Sequence, residues 1–314
     1  MKTVLITGAN SYIGTSFEAY VSQHYKDELS ITTIDMIDGS WRNQPFTTTN
    51  PETGETKPYD IIFHVAGLAH ADVGNVSQEV KDKYYAVNTD LAVETARKAK
   101  DDGCKQFVFM SSMIVYGKQS HITATTKPHP ANFYGDSKWK ADKGVRRLAP
   151  SPDEQGKGEL GEFVVTVLRP PMIYGRGSKG NYPTLSRLAQ RVPVFPEVDN
   201  RRSMLYIENL CEFLAQVMVG CRGGVFFPQN AEYSSTSTIV KEIAAVHKHK
   251  MILTKFLNPA VAVARKCPVK KVRDMASKAF GDSWYEQEMS VYENLDYQKV
   301  DLRTSIRRTE RQEQ

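Results

Sequence analysis

Short apolar runs alternate with longer amphipathic stretches through the first 175 or so residues of the chain. Residues 2–7 are rich in β-branched side chains and read as a buried strand starting almost at the first residue. A glycine-bearing turn from Thr7 to Gly14 follows, and residues 15–21 have helical spacing. A second strand, residues 31–35, ends in Asp35, and a third, residues 59–67, closes on Ala66 and Gly67. A helix then carries Asn88, and the apolar run at 106–112 ends in Ser111 and Ser112. Strand–helix alternation of this kind predicts an α/β fold with a doubly wound parallel sheet. Such sheets bind ligands at the carboxyl ends of their strands, where Gly8, Asp35, Gly67 and Ser112 all fall.

After Gly175 the alternation breaks, and residues 175–200 are expected to begin a substrate-binding portion. Residues 204–219 return to a strand followed by a helix, and the serines and threonines at 234–238 offer a helix cap. Residues 50–58 and the glycine-rich stretch 151–161 read as loops, and the segment from 301 onward as a frayed polar tail.

Composition narrows the function classes. A chain of 314 residues, 40% apolar and 25% charged, is ordinary for a globular protein with a substantial core. It has no apolar run long enough for a membrane span and no signal-peptide layout, so a cytoplasmic protein without a membrane partner is expected. Cys104, Cys211, Cys221 and Cys267 lack metal-ligand spacing, so reduced thiols and no metal are expected. The net charge of +5 is spread along the chain without aromatic interleaving, which argues against nucleic acid and for a small anionic substrate.

The chemistry rests on Tyr134 and Lys138, which share one helix face at i and i+4. A free phenol has a pKa of about 10, and a fixed positive charge nearby would bring it towards useful proton transfer. A solvated helix face shares this spacing, and a dinucleotide site upstream is what separates the two readings. The turn holding Gly8, Ser11, Tyr12, Ile13 and Gly14 is such a site, because its backbone N–H groups can meet a pyrophosphate at the positive helix end. Ser11 stands where the plain G-x-G-x-x-G pattern has glycine, so its side chain must either turn away from the phosphates or bond one. Asp35 lies 21 residues past Gly14, where a carboxylate accepts from both ribose hydroxyls and repels a 2′-phosphate. That favours NAD over NADP, with Arg42 close enough in sequence to matter.

Taken together, these residues resemble the extended short-chain dehydrogenase/reductase superfamily, in its nucleotide-sugar epimerase and reductase branch. The resemblance rests on Thr7, Gly8 and Gly14; on Asp35; on the 109–117 segment with Ser112; and on Tyr134-Gly135-Asp136-Ser137-Lys138. It extends through residues 167–175, where Pro170 and Ile173 would flank the nicotinamide, and through 201–210, where Arg202 would meet a diphosphate. It implies a Rossmann-type domain over 1–174 and 203–228, and a smaller discontinuous substrate domain over 175–202 and 229–314. It also implies NAD as cofactor, a UDP-linked sugar as substrate, a homodimer, and Ser112, Tyr134 and Lys138 as catalytic residues. Ala66, Gly67 and Asn88 join the cofactor contacts.

Met113 and Ile114 follow Ser112 where dehydratases of this superfamily carry an Asp-Glu pair, so dehydration is not expected. Three functions remain: a UDP-hexose 4-epimerase working through a 4-keto sugar, a nucleotide-4-keto-6-deoxysugar reductase, and a non-catalytic dinucleotide sensor. Asn181 reads as a phosphate contact or a turn residue, Arg202 as a diphosphate contact or an ion-pair member, and Asn88 as a cofactor contact or a local brace. His64, inside a strand, reads as a packed core histidine; His70 and His121 are left unassigned.

Overall fold

Successive side chains of the first strand enter two different apolar layers, as the two-residue period of a strand requires. In a computed structural model, which describes residues 1–69, 76–149 and 163–311, strand β1 (Lys2–Thr7) sends Val4 and Ile6 to one face and Leu5 to the other. The same sorting holds in β3 (Ile61–His64) and β4 (Gln106–Met110), with Phe63 and Val108 on the first face and Ile62 and Phe109 on the second. With β2 (Leu29–Ile34), β5 (Val164–Leu168) and β6 (Gly224–Phe226) they form one six-stranded sheet, every pair parallel, in the order β2-β1-β3-β4-β5-β6. Strands buried on both faces read as continuous apolar runs, as β3 and β4 do, whereas the edge strand β2 is only partly buried.

Helices cover both faces, giving the expected Rossmann-type arrangement. Helices α1 (Tyr12–His24) and α6 (Ile207–Val219) pack together. After α2 (Gln78–Tyr85), α3 (Leu91–Asp101) packs against α4 (Phe133–Arg146). Side-chain caps set several starts: Ser11 on α1, Ser77 on α2 and Asn132 on α4 each accept a backbone N–H of the first turn. Between α2 and α3 the chain forms a π-turn over Ala86–Asp90, and Asn88 lies inside it.

Beyond the sheet come α5 (Tyr182–Ala189), α7 (Thr236–Val246), α8 (Asn258–Lys266), α9 (Lys270–Phe280) and α10 (Leu302–Glu310). The first apolar layer continues without a break from Val4 through Tyr182 and Ile243 to Ile306.

Two expectations are corrected. The segment 50–58 is not plain loop, because Thr47–Thr49 and Thr56–Pro58 pair as an antiparallel hairpin. Residues 301–310 are not frayed, since Asp301 caps α10, which buries Leu302, Ser305 and Ile306. Charges on one face hid its short apolar stripe. The expected loop at 151–161 and His70 lie outside the described residues.

Candidate active site

The carboxyl ends of β1, β3, β4 and β5 bring the sequence-nominated residues to one edge of the sheet. At the end of β1, Gly8 has φ of +99°, and a Cβ there would stand 2.9 Å from the Ala66 backbone nitrogen. Only glycine lets these two strand ends approach so closely. Ser11 settles its own alternative: its Oγ accepts from the Gly14 N–H at 3.0 Å, so the side chain caps α1. The start of α1 therefore keeps its dipole with no side chain crossing it. Tyr12 tucks its phenol beneath Gly175, whose added Cβ would fall 2.6 Å from the hydroxyl, and Ile13 packs against the first apolar layer.

Asp35 stands exposed just past β2, with Oδ1 accepting from the Ile37 N–H at 3.0 Å. Arg42, the cation that clouded the NAD reading, is held elsewhere. Its guanidinium meets both carboxylate oxygens of Glu94, at 2.5 and 2.8 Å, and stacks on Trp41. The residues present fit a dinucleotide: a glycine cradle, a capped helix start and a strand-end acid.

Asn88 is a brace for the wall of this cleft. Its Oδ1 accepts from the Leu68 N–H at 2.8 Å, and its Nδ2 donates to Leu68 O at 3.1 Å and Ser137 Oγ at 3.2 Å. Holding both backbone groups of Leu68, it fixes the strand end beside Gly67, and the π-turn aims it there. A Cβ on Gly67 would come within 3.0 Å of Asn88 Oδ1 and 3.1 Å of Lys138 Nζ, so the ammonium lies at the Gly67 backbone.

Lys138 is buried on α4, donates to Met110 O at 3.1 Å and lies over the Phe109 ring. Burial brings its pKa down to about 8. Tyr134 departs from expectation. Burial, with a smaller push from Tyr84, raises its phenol to about 12. The Lys138 ammonium is spent on the Met110 carbonyl, while the Tyr134 ring packs edge-on against Tyr84 at 5.9 Å. In the protein by itself, burial of the phenol outweighs any lowering by the Lys138 ammonium.

Ser112 caps the turn Met113–Tyr116, its Oγ accepting from the Ile114 N–H at 3.2 Å. The next residue, Met113, donates its N–H to Pro170 O at 2.9 Å, which joins the ends of β4 and β5. Ile173 lies beyond Pro170 in the short strand Met172–Tyr174 and packs against the first apolar layer. His64 is fully buried, bonded through Nδ1 to Thr7 Oγ1 at 2.8 Å and stacked on Phe107 and Phe109. Burial first, then the Lys138 charge, lowers its pKa to about 3, so it is a neutral core residue.

The substrate-side candidates stand apart from this cluster. Asn181 is exposed at the start of α5 and makes no side-chain cap. Arg202 is structural in geometry: Nη1 donates to Lys278 O at 2.7 Å and Gly281 O at 3.2 Å, closing the end of α9. Its neighbour Arg201 is the exposed cation, with its guanidinium over Trp284 at 4.6 Å and Tyr233 at 5.1 Å. His121 stacks on the same Trp284 at 3.8 Å and meets Glu286 at 3.2 Å. This aromatic group adjoins the cleft, because Ser283 Oγ contacts Met113 Sδ at 3.2 Å.

Sequence reasoning missed a buried ion pair behind the helix. Arg169 Nε and Nη2 meet Asp142 at 2.8 and 3.0 Å, and Arg169 Nη1 donates to Tyr116 Oη at 2.9 Å. Asp142 lies one turn past Lys138, so the pair pins α4 to the end of β5. The signal was an arginine closing an apolar strand and an acid at i+4 from the lysine.

Comparison with known proteins agrees with this geometry. The family model described as the NAD dependent epimerase/dehydratase family matches residues 4–225. The UDP-glucose 4-epimerase of Vibrio cholerae is 26% identical over 256 residues, covering 77% of this chain and 75% of that one. The UDP-glucuronic acid 4-epimerase of Bacillus cereus, solved with NAD, superposes with a TM-score of 0.64 at 14% identity, covering 97% and 96% of the two chains. The dTDP-4-dehydrorhamnose reductase of Bacillus anthracis, solved with NADP, gives 0.59 at 20% identity over 81% and 83%. On the family match over most of its length, with a glycine cradle, Ser112, Tyr134 and Lys138 at one sheet edge, this chain belongs to the NAD-dependent epimerase/dehydratase family.

Proposed function

We propose that the protein is an NAD-dependent epimerase of a nucleotide sugar, a UDP-hexose 4-epimerase working through a 4-keto sugar. The observation that carries this reading is the position of Lys138 Nζ, against the Gly67 backbone and bonded to the Met110 carbonyl. It puts the Tyr134–Lys138 pair at the strand ends where a dinucleotide is held. Gly8, the start of α1 at Ser11 to Gly14, and Asp35 would hold NAD, with Ala66, Gly67, Pro170 and Ile173 as walls around it. When bound, NAD supplies a site for reversible hydride transfer.

The chain's own residues handle the proton. Tyr134 takes it from the sugar hydroxyl and returns it after the keto sugar has turned over in the site. Ser112 bonds the reacting oxygen, and Lys138 offers positive charge at the cofactor side of the phenol. Because Tyr134 is pushed up to about 12, the sugar-oxidising half-reaction gains rate as pH rises. Asn88 acts by holding Leu68. Asn181 and Arg201 face the sugar nucleotide in this reading, and Arg202 braces the wall that carries Arg201. Arg42, tied to Glu94, leaves Asp35 to select NAD.

The similarity to the Vibrio cholerae epimerase supports an epimerase over a reductase. The purified protein is expected to carry NAD and to exchange UDP-glucose with UDP-galactose, with no net NADH formed. Stoichiometric NAD(P)H oxidation by a dTDP-4-keto-6-deoxy sugar, without isomer exchange, would favour the reductase reading instead. A homodimer and a cytoplasmic location belong to this proposal, and sedimentation equilibrium checks the first.

A further inference from the structure

The net charge is small over the whole chain, yet one stretch of it is strongly basic. Between residues 248 and 278 stand nine lysines and arginines against one acid, Asp274. The whole chain carries a net charge of only +5, so everything outside this segment is net acidic. Among the described residues, no ion pair neutralises any of these nine cations.

The same segment exposes its apolar side chains. Phe256 is 87% exposed, Val263 71%, Ile252 65% and Met275 65%. Helix α8 buries no residue and α9 buries only Ala276, the two packing chiefly on each other. Helices this short are marginal in water unless an apolar face is covered. Val263 lies one turn from Lys266, and Met275 one turn from both Lys271 and Lys278. Apolar tips flanked by long cationic stems match the interface of an anionic bilayer, where the tips enter and the ammonium groups stay at the headgroups. Among the described residues no helix is long and apolar enough to cross a membrane, so the hairpin would lie on the surface.

We propose that the α8–α9 hairpin, with Phe256 before it, docks this protein on an anionic lipid surface. The lack of a long apolar run pointed away from a membrane partner; the folded chain nonetheless carries six of the nine cations on one exposed helix pair. The hairpin is also close to the cleft. Arg202 closes the end of α9, and three residues past that helix Ser283 touches Met113, beside Ser112. A docked hairpin would therefore hold the mouth of the site near the bilayer. The proposal stands on charge and exposure alone and is independent of the substrate.

The test is co-sedimentation of the full chain with phosphatidylglycerol/phosphatidylcholine vesicles and with phosphatidylcholine vesicles. Binding is expected only to the anionic vesicles and is released by high salt. Charge reversal in a K266E/K270E/K271E triple variant is expected to weaken it at least about tenfold. Polar replacement in F256S/V263S/M275S is expected to weaken it even at low salt. Soluble glycerol phosphate should not displace the protein, which separates a bilayer from a simple phosphate site. Both variants should keep turnover of a soluble substrate. If either variant folds poorly, hydrogen exchange on the wild-type chain decides the matter, with vesicle-induced protection expected over 252–278. No binding to anionic vesicles, protection elsewhere only, or an F256S/V263S/M275S variant that splits a dimer yet still binds vesicles would each overturn the proposal.

Discussion

Helices α4 and α9 are both short and rich in charge, yet they use charge in opposite ways. Helix α4 buries Lys138 and Asp142, and each has a defined partner: the Met110 carbonyl for one, Arg169 for the other. Helix α9 buries only Ala276 and leaves Lys270, Lys271 and Lys278 in water. A buried charge is costly unless paired, so on α4 each one fixes a position. An exposed charge is worth little singly, so on α9 only the sum over the element matters. The pairing on α4 is what holds Tyr134 and Lys138 at the strand ends. The lack of pairing on α9 leaves a surface able to meet an anionic partner.

Four substitutions sharpen or break this contrast. The largest effect is expected from Tyr134→Phe, which removes the proton carrier and should lower turnover by about 10²–10⁴-fold. Retained NAD and an unchanged melting curve should accompany that loss; near-normal turnover would remove Tyr134 from the mechanism. Next, Asp142→Ala leaves the Arg169 guanidinium buried without its carboxylate and should cost about 3–5 kcal/mol in urea unfolding. A loss under 1 kcal/mol, on the order of a surface ion pair, would mean the pair does not anchor α4.

The third substitution concerns pH. Burial lowers Lys138 to about 8 from its ordinary 10.5, so between these values the unfolded chain holds more protons than the folded one. Stability from this group therefore rises with pH across that window and is smallest below it. Lys138→Met removes the buried charge and should raise stability near neutral pH by up to about 3 kcal/mol while abolishing turnover. The advantage should shrink as pH climbs from 8 towards 10.5, as chemical denaturation along that range would show. A constant difference would place the Lys138 charge in water. The smallest effect belongs to the other helix: Lys271→Ala should change stability by less than about 0.5 kcal/mol at any pH. A larger loss would show that α9 depends on a specific partner as α4 does.

Legibility followed the physics of each region. The strands at 2–7, 61–64 and 106–110 were readable because parallel strands buried on both faces become continuous apolar runs. Gly8 and Gly67 were readable because close backbone approach admits nothing larger. Ser11 was readable only as a pair of options, and the hydrogen bond to Gly14 chose the cap. The hairpin at 47–58 was hidden by threonines and turn residues that suit a loop equally well. The docking of α10 was hidden because Leu302 and Ile306 are few among charges. The Arg169–Asp142 pair joins residues 27 apart, so the strand-end arginine and the acid at i+4 from Lys138 were local signals that did not name each other as partners.

The sequence by itself determined the order of strands and helices, the glycine turn, the strand-end acid and the i, i+4 spacing of Tyr134 and Lys138. These are local matters of periodicity, backbone freedom and residue chemistry. Only the tertiary structure decided the environments. It raised Tyr134 where a lowered phenol was expected, and it tied Arg42 to Glu94 and Arg202 to the end of α9. It also left the α8–α9 pair, which carries six of the nine cations of 248–278, with its apolar and charged side chains exposed. Burial and pairing depend on what the rest of the chain brings within a few ångströms, and no stretch of sequence carries that information alone.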